Sequence, residues 1–325
     1  MPRYFLVLNP SSRSFQARHS WPLLFETLDA RGVDYDFALT RGDGDAVRLA
    51  RQAARDGFEV VVAVGGDGTI NEVVNGLFDA ESRTALAAFG VIYTGTSPDF
   101  CGYHGIPLDT VAAVDLLLNG APRPVDLCRI VHRHPAEETT VHRIFSCCAN
   151  FGLGAAVARG ANSGLRKRWG DRLGTLLALL HALASYRPPD LRVQIDGREA
   201  VFPGLFNLFV GKSPLVASGI KLSLEIAPDD GKMYALPLFG ISRARLFAIL
   251  PSIYTGTITR RFPPIFARRV EIPDQGDARE VEYDGDPRGR LPASIEVLPR
   301  ALPLIRPAMR PASRCPRGRS NPGRV

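Results

Sequence analysis

The chain has 325 residues, 45% of them apolar and 22% charged. That is a globular composition with room for one large or two medium domains, and not a disordered one. The formal charge of +7 arises from 40 basic and 33 acidic residues, but five Arg and no acid fall in residues 309–325; without them the balance is 35 minus 33, or +2, which gives no reason to expect a nucleic-acid-binding face.

No apolar run approaches the ~20 residues of a membrane-spanning helix, and the stretch from Tyr4 to Leu8 before Asn9-Pro10 is too short for a signal-peptide core. The Cys residues (Cys101, Cys128, Cys147, Cys148 and Cys315) are odd in number and form no Cys-x-x-Cys. A reducing cytoplasm is the expected compartment.

Strand and helix patterns alternate at first. Arg3 to Leu8 reads as a short strand. Trp21, Leu24, Phe25 and Leu28 recur at i, i+3, i+4 and i+7, one face of a helix that Gly32 ends. Val33, Tyr35 and Phe37 alternate with Asp34 and Asp36, a period-two strand. Asp45 is placed to cap a helix whose apolar side is Ala46, Leu49, Ala50 and Ala53, with Gly57 as its stop. Phe58 to Val64 is a β-branched run, as for a strand buried on both faces. A helix from Ile70 to Phe78, a strand from Leu86 to Tyr93 and a helix from Thr110 to Leu118 follow. Such alternation implies right-handed crossovers and a mostly parallel sheet.

Past residue 125 strands dominate, at 127–133, 140–149, 191–195, 206–210, 222–226, 233–239, 270–272, 279–283 and 295–298, with helices at 165–186 and 243–253. Short Gly/Asp turns between them suggest an antiparallel sandwich. The expected fold is therefore α/β in two domains: a parallel α/β domain over 1–125, an antiparallel β-sandwich over 126–308 and a basic tail over 309–325. The cleft between the domains is the default site.

The sharpest chemical signal is Gly65-Gly66-Asp67-Gly68-Thr69-Ile70-Asn71-Glu72, set between a buried strand and a helix. Glycines allow close backbone approach, and a helix N-terminus offers free N–H groups to phosphate. No Gly-Lys-Ser/Thr follows, so this is not a Walker loop; Lys occurs only at 167, 212, 221 and 232. Asp67 beside phosphates argues for a Mg²⁺ ion between them, held through water. A second loop, Thr94-Gly95-Thr96-Ser97-Pro98-Asp99, follows the strand ending at Tyr93, so both loops leave the carboxyl edge of one sheet. His132-x-His134 with His142 lacks a completing carboxylate or Cys, both segments reading as solvent-facing, and is not taken as a metal site.

These residues carry a resemblance to the diacylglycerol kinase catalytic-domain family, the bacterial lipid kinases related to sphingosine and ceramide kinases. Asn9-Pro10-x-Ser12, Gly65 to Gly76, Gly95-Thr96-x-x-Asp99-Phe100, Asn150 to Ala155, Ser218 to Lys221, Pro228 to Gly231 and Tyr283-Asp284-Gly285-Asp286 resemble its successive motifs. The resemblance implies ATP and Mg²⁺ in the interdomain cleft. Asn9, Thr40, Gly65, Gly66, Asp67, Gly68, Thr69, Ile70, Asn71 and Thr96 match nucleotide-contacting positions. Asp284 matches the proton acceptor for a lipid hydroxyl, with Asp67 and Asp99 as the other catalytic carboxylates. Asp230, with carbonyls near Ala227 and Lys232, matches a structural Mg²⁺ site. The chain departs from the family in having Pro98 for Asn, Asp286 for Glu, and Arg13 where Gly-Lys is usual.

The expected activity is ATP-dependent phosphorylation of a lipid such as diacylglycerol by a cytoplasmic kinase reaching the inner face of the membrane. The basic tail, or a helix opening Arg166-Lys167-Arg168-Trp169, can meet anionic lipid, although a solvated tail and a core helix are the plainer readings. Two alternatives stand beside it: a soluble NAD-kinase-like phosphotransferase and a nucleotide-binding regulatory module without turnover. The acceptor lipid is not written in the sequence, and the oligomeric state stays open, a homodimer included.

Overall fold

The computed structural model describes residues 2–12, 16–137, 139–145, 147–160, 181–183, 185–216, 220–276, 280–283 and 286–308. Chain order begins with β1 (Tyr4–Leu8), α1 (Trp21–Ala30), β2 (Tyr35–Leu39), α2 (Asp45–Arg55), β3 (Val60–Gly65) and α3 (Asp67–Leu77). A small hairpin of β4 (Phe78–Asp79) and β5 (Thr84–Ala85) leads to β6 (Ala88–Tyr93), α4 (Asp99–His104) and α5 (Thr110–Asn119). The strands lie in the order β6-β3-β1-β2, all parallel, with Leu6 opposite both Phe37 and Val62.

Alternation within β3 explains its sequence. Val61 and Ala63 face the α2 and α3 layer, with Ala46, Ala50, Ile70 and Val74; Val60, Val62 and Val64 face α1 and α5, with Leu24, Leu28, Val114 and Leu117. A strand covered on both faces has no position left for a polar side chain, and each buried Val contributes about 1.5–3 kcal/mol. Gly76 lets α2 and α3 close up, since a Cβ there would lie 2.3 Å from the Val47 carbonyl oxygen.

The second half contains β7 (Pro122–Arg133), β8 (Thr140–Phe145), β9 (Cys148–Gly152), α6 (Leu153–Gly160), β10 (Leu191–Ile195), β11 (Arg198–Phe202), β12 (Asn207–Gly211), β13 (Leu215–Val216) and β14 (Ile220–Lys221). It continues with β15 (Met233–Leu238), α7 (Arg243–Tyr254), β16 (Ile265–Ala267), β17 (Arg269–Ile272), β18 (Glu280–Tyr283) and β19 (Asp286–Ile305). The 20-residue β19 is the shared spine. It pairs antiparallel with β7 and β17 in one layer, which β8, β10 and β11 extend, and with β18 in the other, which β9, β12, β15 and β16 extend. Phe145, Phe151, Val193, Val210, Val270, Val281 and Ile295 fill the space between the layers. This is a β-sandwich-like half. It is joined to the parallel half where Leu304 of β19 pairs with Phe89 of β6.

Several expectations are corrected. The expected strand at 140–149 is two strands, β8 and β9. Residues 222–226 form no strand: Leu222 N–H bonds to the Pro214 carbonyl and Leu224 N–H to that of Leu222, a local turn path. The helix cap of α2 is Gly44, and the carboxylate serving that helix start is Glu72, which accepts from Gly44 N–H (3.1 Å) and Ala46 N–H (3.3 Å). The expected helix at 165–186 and the tail at 309–325 fall almost wholly or wholly outside the described residues.

Candidate active site

The two glycine-bearing loops leave the carboxyl ends of neighbouring strands β3 and β6 and touch backbone to backbone. A Cβ on Gly95 would stand 2.5 Å from the Cα of Gly66 and 2.6 Å from the Tyr93 hydroxyl oxygen; one on Gly66 would meet the Gly95 Cα at 3.2 Å. Thr94 N–H donates to the Gly65 carbonyl at 2.9 Å. A Cβ on Gly65 would be 2.3 Å from Thr69 Oγ1, whereas nothing lies within 4 Å of one on Gly68. So Gly65, Gly66 and Gly95 hold the loops together, and Gly68 stands open at the start of α3.

The third segment of this edge follows β1. Asn9 N–H bonds to the Val64 carbonyl (3.0 Å), and the Asn9 side-chain amide donates to Thr69 Oγ1 (2.8 Å). Asn9 Oδ1 accepts from Ser11 N–H (2.9 Å), and the Ser12 hydroxyl donates to the Thr94 carbonyl (3.2 Å). Thr40 stands at the end of β2, its N–H on the Leu8 carbonyl at 2.9 Å. Asn9, Thr40, Gly65 to Thr69 and Thr96 thus line one rim, with Thr96 exposed.

Asp67 opens α3 and Asp99 opens α4, which starts from Pro98. Both carboxylates act on one group: the Tyr93 phenol is pushed up first by burial, then by Asp67, Cys101 and Asp99. Burial and then Asp67 push the Cys101 thiol up as well. The rim therefore carries two acids on one small patch beside open helix-start amides. Pro98 fits its position, because a proline has a preset φ and needs no amide hydrogen at a helix start; its carbonyl accepts from Gly102 N–H at 2.8 Å.

Ile70 and Asn71 point away from this rim. Ile70 is fully buried in the core, and the Asn71 amide donates to the Ile144 carbonyl of β8 (3.0 Å). Asn75 does the same (2.8 Å) and accepts from Ile144 N–H (2.8 Å). Phe145, next in the chain, packs its ring 6.3 Å from that of Tyr283 at the end of β18. Asn71 and Asn75 thereby tie the helix of the first glycine loop to the hairpin of β18 and β19. Asp284 lies outside the described residues. Replacing Asn75 with Ala is expected to lower stability by about 2 kcal/mol, since buried β8 groups lose their partner; urea denaturation checks this.

Beneath the same hairpin, buried Glu282 accepts from the Asn150 amide, Asn150 Oδ1 accepts from the Asn207 amide (3.0 Å), and Asn207 Oδ1 accepts from Gly154 N–H (2.8 Å). His132 is buried, against the expectation of a solvent-facing strand, and its Nε2 lies 3.4 Å from the Tyr283 hydroxyl. The space comes from Gly289, where a Cβ would stand 2.0 Å from His132 Nδ1.

Asp230, Ala227 and Lys232 are brought together. Asp230 Oδ2 accepts from Ala227 N–H (3.2 Å), and Oδ1 from Lys232 N–H (3.0 Å) and from the Lys212 ammonium. Burial pushes the Asp230 carboxyl up, but the Lys212 hydrogen bond and charge and the two N–H groups outweigh it and hold it below the usual range. Lys212 did not stand out in the sequence beyond being one of only four lysines. No cluster of three or more His, Cys, Asp or Glu able to hold a metal is found among the described residues.

His104 ends α4 against the rings of Phe100 and Tyr103. Burial first, then the charges of Arg306 and Lys212, push it down to about 3. It stays neutral in the fold while the unfolded chain binds a proton near pH 6.5, so stability falls as pH drops from ~6.5 toward 3. Between pH 7.5 and 5 that loss is about 2 kcal/mol, and denaturation of His104→Gln should show a correspondingly shallower acid slope.

A concavity lined by Tyr4, Val33, Asp34 and Asn119 opens at the opposite end of the parallel strands, away from the paired loops of Gly66 and Gly95. No helix among the described residues is long and apolar enough to cross a membrane.

The architecture is thus a parallel α/β half presenting paired glycine loops, continued by a β-sandwich-like half. Residues 3–130 match the diacylglycerol kinase catalytic domain, and residues 148–306 match the YegS C-terminal NAD kinase beta sandwich-like domain. The chain belongs to the diacylglycerol kinase catalytic-domain family. It is 28% identical to a diacylglycerol kinase of Bacillus subtilis over 312 residues, 94% of this chain and 97% of that one. It is also 28% identical to one of Staphylococcus aureus (strain bovine RF122 / ET3-1) over 305 residues, covering 93% and 91%. Among solved structures, a diacylglycerol kinase from Bacillus anthracis superposes with a TM-score of 0.72 at 19% identity, covering 94% of this chain and 97% of that one. Yeast NADH kinase complexed with NADH gives 0.50 at 11% identity, covering 91% and 80%. These two likenesses bear on fold.

Proposed function

We propose that the protein transfers the γ-phosphoryl group of ATP to the hydroxyl of a lipid such as diacylglycerol, with residues 1–125 as nucleotide domain and 126–308 as lipid-substrate domain. The observation that carries this reading is the backbone contact of Gly66 with Gly95, which sets Asp67 and Asp99 on one rim beside the open start of α3. The amides at Asp67, Gly68 and Thr69 would receive phosphate oxygens, because an α-helix start has N–H groups with no intrahelical partner. Thr40, Thr96 and the Asn9–Thr69 pair would border the rest of the nucleotide.

Two carboxylates on a phosphate-binding rim fit a Mg²⁺ ion held partly through water. That ion, when bound, would neutralise charge building on the transferred group. Asp284 would orient the acceptor hydroxyl. The hydroxyl oxygen bonds to the γ-phosphorus as the bond to the β,γ-bridging oxygen breaks; ADP departs with that electron pair, and the hydroxyl proton passes to Asp284. The transition state is loose, so a weak base that takes the proton late is sufficient.

Asp284→Asn is expected to reduce turnover at least a hundredfold with ATP affinity unchanged, read as kcat against ATP binding by calorimetry. The reaction itself is tested by following radiolabel from γ-labelled ATP into extracted membrane lipids, with NAD as a parallel acceptor. Label in a lipid supports the reading; label in NAD alone, or nucleotide binding without transfer, defeats it.

A further inference from the structure

A buried ammonium sits where the two halves of the molecule join. Lys212 follows the end of β12, and its side chain is 2% exposed. Its Nζ meets three acceptors: Asp126 Oδ2 at 2.7 Å, the Lys232 carbonyl at 2.7 Å and Asp230 Oδ1. A lysine ammonium has three donors, so all are used. The partners come from separate places. Asp126, fully buried, lies on β7 where the chain leaves the parallel half, while Asp230 and Lys232 lie on the loop before β15.

The carboxylate oxygens are filled from the other side. Asp126 Oδ1 accepts from Arg300 N–H of β19 (2.8 Å) and Oδ2 from Gly231 N–H (2.7 Å); Asp230 accepts from Ala227 and Lys232 N–H. Nearby, the Tyr103 hydroxyl of α4 donates to the Ile226 carbonyl (3.0 Å), so the same loop braces the helix that begins at Asp99.

The resemblance sets a structural Mg²⁺ here, on Asp230 and the carbonyls near Ala227 and Lys232. The donor set does not fit one. Mg²⁺ demands six oxygens in near-octahedral array at about 2.0–2.1 Å, whereas Asp230 Oδ1 and the Lys232 carbonyl are already on the Lys212 ammonium, and a divalent ion among the same oxygens would stand against a fixed positive charge. We propose that Lys212 supplies the cation of this pocket from its own side chain, so that the join between β7, the loop before β15 and α4 needs no divalent ion. The inference concerns stability and holds whichever phosphoryl acceptor the protein uses.

Melting of the full chain without nucleotide tests it, in EDTA and in millimolar MgCl2 or CaCl2. The wild type should melt at the same temperature within about 1 °C, since an ion that does not bind the fold does not stabilise it. Lys212→Met should melt roughly 10 °C lower in EDTA, having two buried carboxylates without their cation, and should regain part of that loss in MgCl2 or CaCl2. Should Lys212→Met not fold, Mn²⁺ binding to nucleotide-free wild type and Asp230→Asn, read by paramagnetic resonance, decides. Equal binding in both, or none, supports the ammonium. A wild-type Mn²⁺ site or Mg²⁺ stabilisation that Asp230→Asn abolishes overturns it.

Discussion

Asp67→Asn is expected to lower phosphoryl transfer about a thousandfold or more while the nucleotide-free melting temperature stays within a few degrees. The side chain stands on the first turn of α3, at a rim and not in the core, so the isosteric amide leaves no cavity. What it removes is one of the two negative charges that bear on the Tyr93 hydroxyl. If Asp67 holds Mg²⁺ at the phosphates, losing that charge weakens electrostatic stabilisation of the transferring group more than it weakens binding of the bare nucleotide. The measurement is kcat and KM for ATP at several MgCl2 concentrations, with melting as the control. The expected signature is a low kcat and a steeper Mg²⁺ requirement; unchanged kcat would remove Asp67 from the chemistry.

Gly95→Ala is the second large effect, and it acts through shape. The added methyl would lie 2.5 Å from the Cα of Gly66, a backbone atom that cannot rotate aside, and 2.6 Å from the Tyr93 hydroxyl. Overpacking of this kind costs about 1–3 kcal/mol. The loops must part to relieve it, which shifts the start of α3 relative to Asp99. ATP binding should weaken tenfold or more, because a shift of about 1 Å at a positioning contact is enough for that. Gly68→Ala is the internal comparison: its Cβ meets nothing within 4 Å, so stability should hold. Melting of both variants checks the contrast, with a calorimetric ATP titration of Gly95→Ala beside it, and equal melting of the two would show that the loop contact is not what shapes the rim.

The parallel half was legible because its periodicities are set by burial. The β3 run has to be apolar at every position when helices cover both faces, and the spacing of Leu24 with Leu28 follows from one helix side meeting that sheet. The glycine loop was legible too, but its glycines were read as ligand approach; in the fold Gly66 and Gly95 first serve loop-to-loop contact. Helix α4 was hidden because Ser97-Pro98-Asp99 reads as a turn and the helix has six residues, too few for a period to emerge. Strand β19 was seen only at 295–298, for Pro287, Pro292, Pro299 and Pro303 interrupt its pattern and its register shifts twice against β7.

The contacts least readable from the sequence are those between distant segments. Asn71 belongs to the glycine motif yet turns its amide to Ile144, 73 residues on. Lys212 and Asp126 are 86 positions apart, the difference of their numbers, and nothing local in either segment signals that they meet. Their one trace is the scarcity of lysine, which makes a lysine in an apolar stretch such as Phe209-Val210-Gly211-Lys212 worth asking about.

The central claim is that the joined loops after β3 and β6 grip the phosphates of ATP. A crystal structure with an ATP analogue whose β,γ-bridge resists cleavage, together with MgCl2, tests it most directly. The account predicts phosphate oxygens on the backbone N–H groups of Asp67, Gly68 and Thr69, with the ion between them and Asp67. Triphosphate bound elsewhere, with that rim closed, would contradict it.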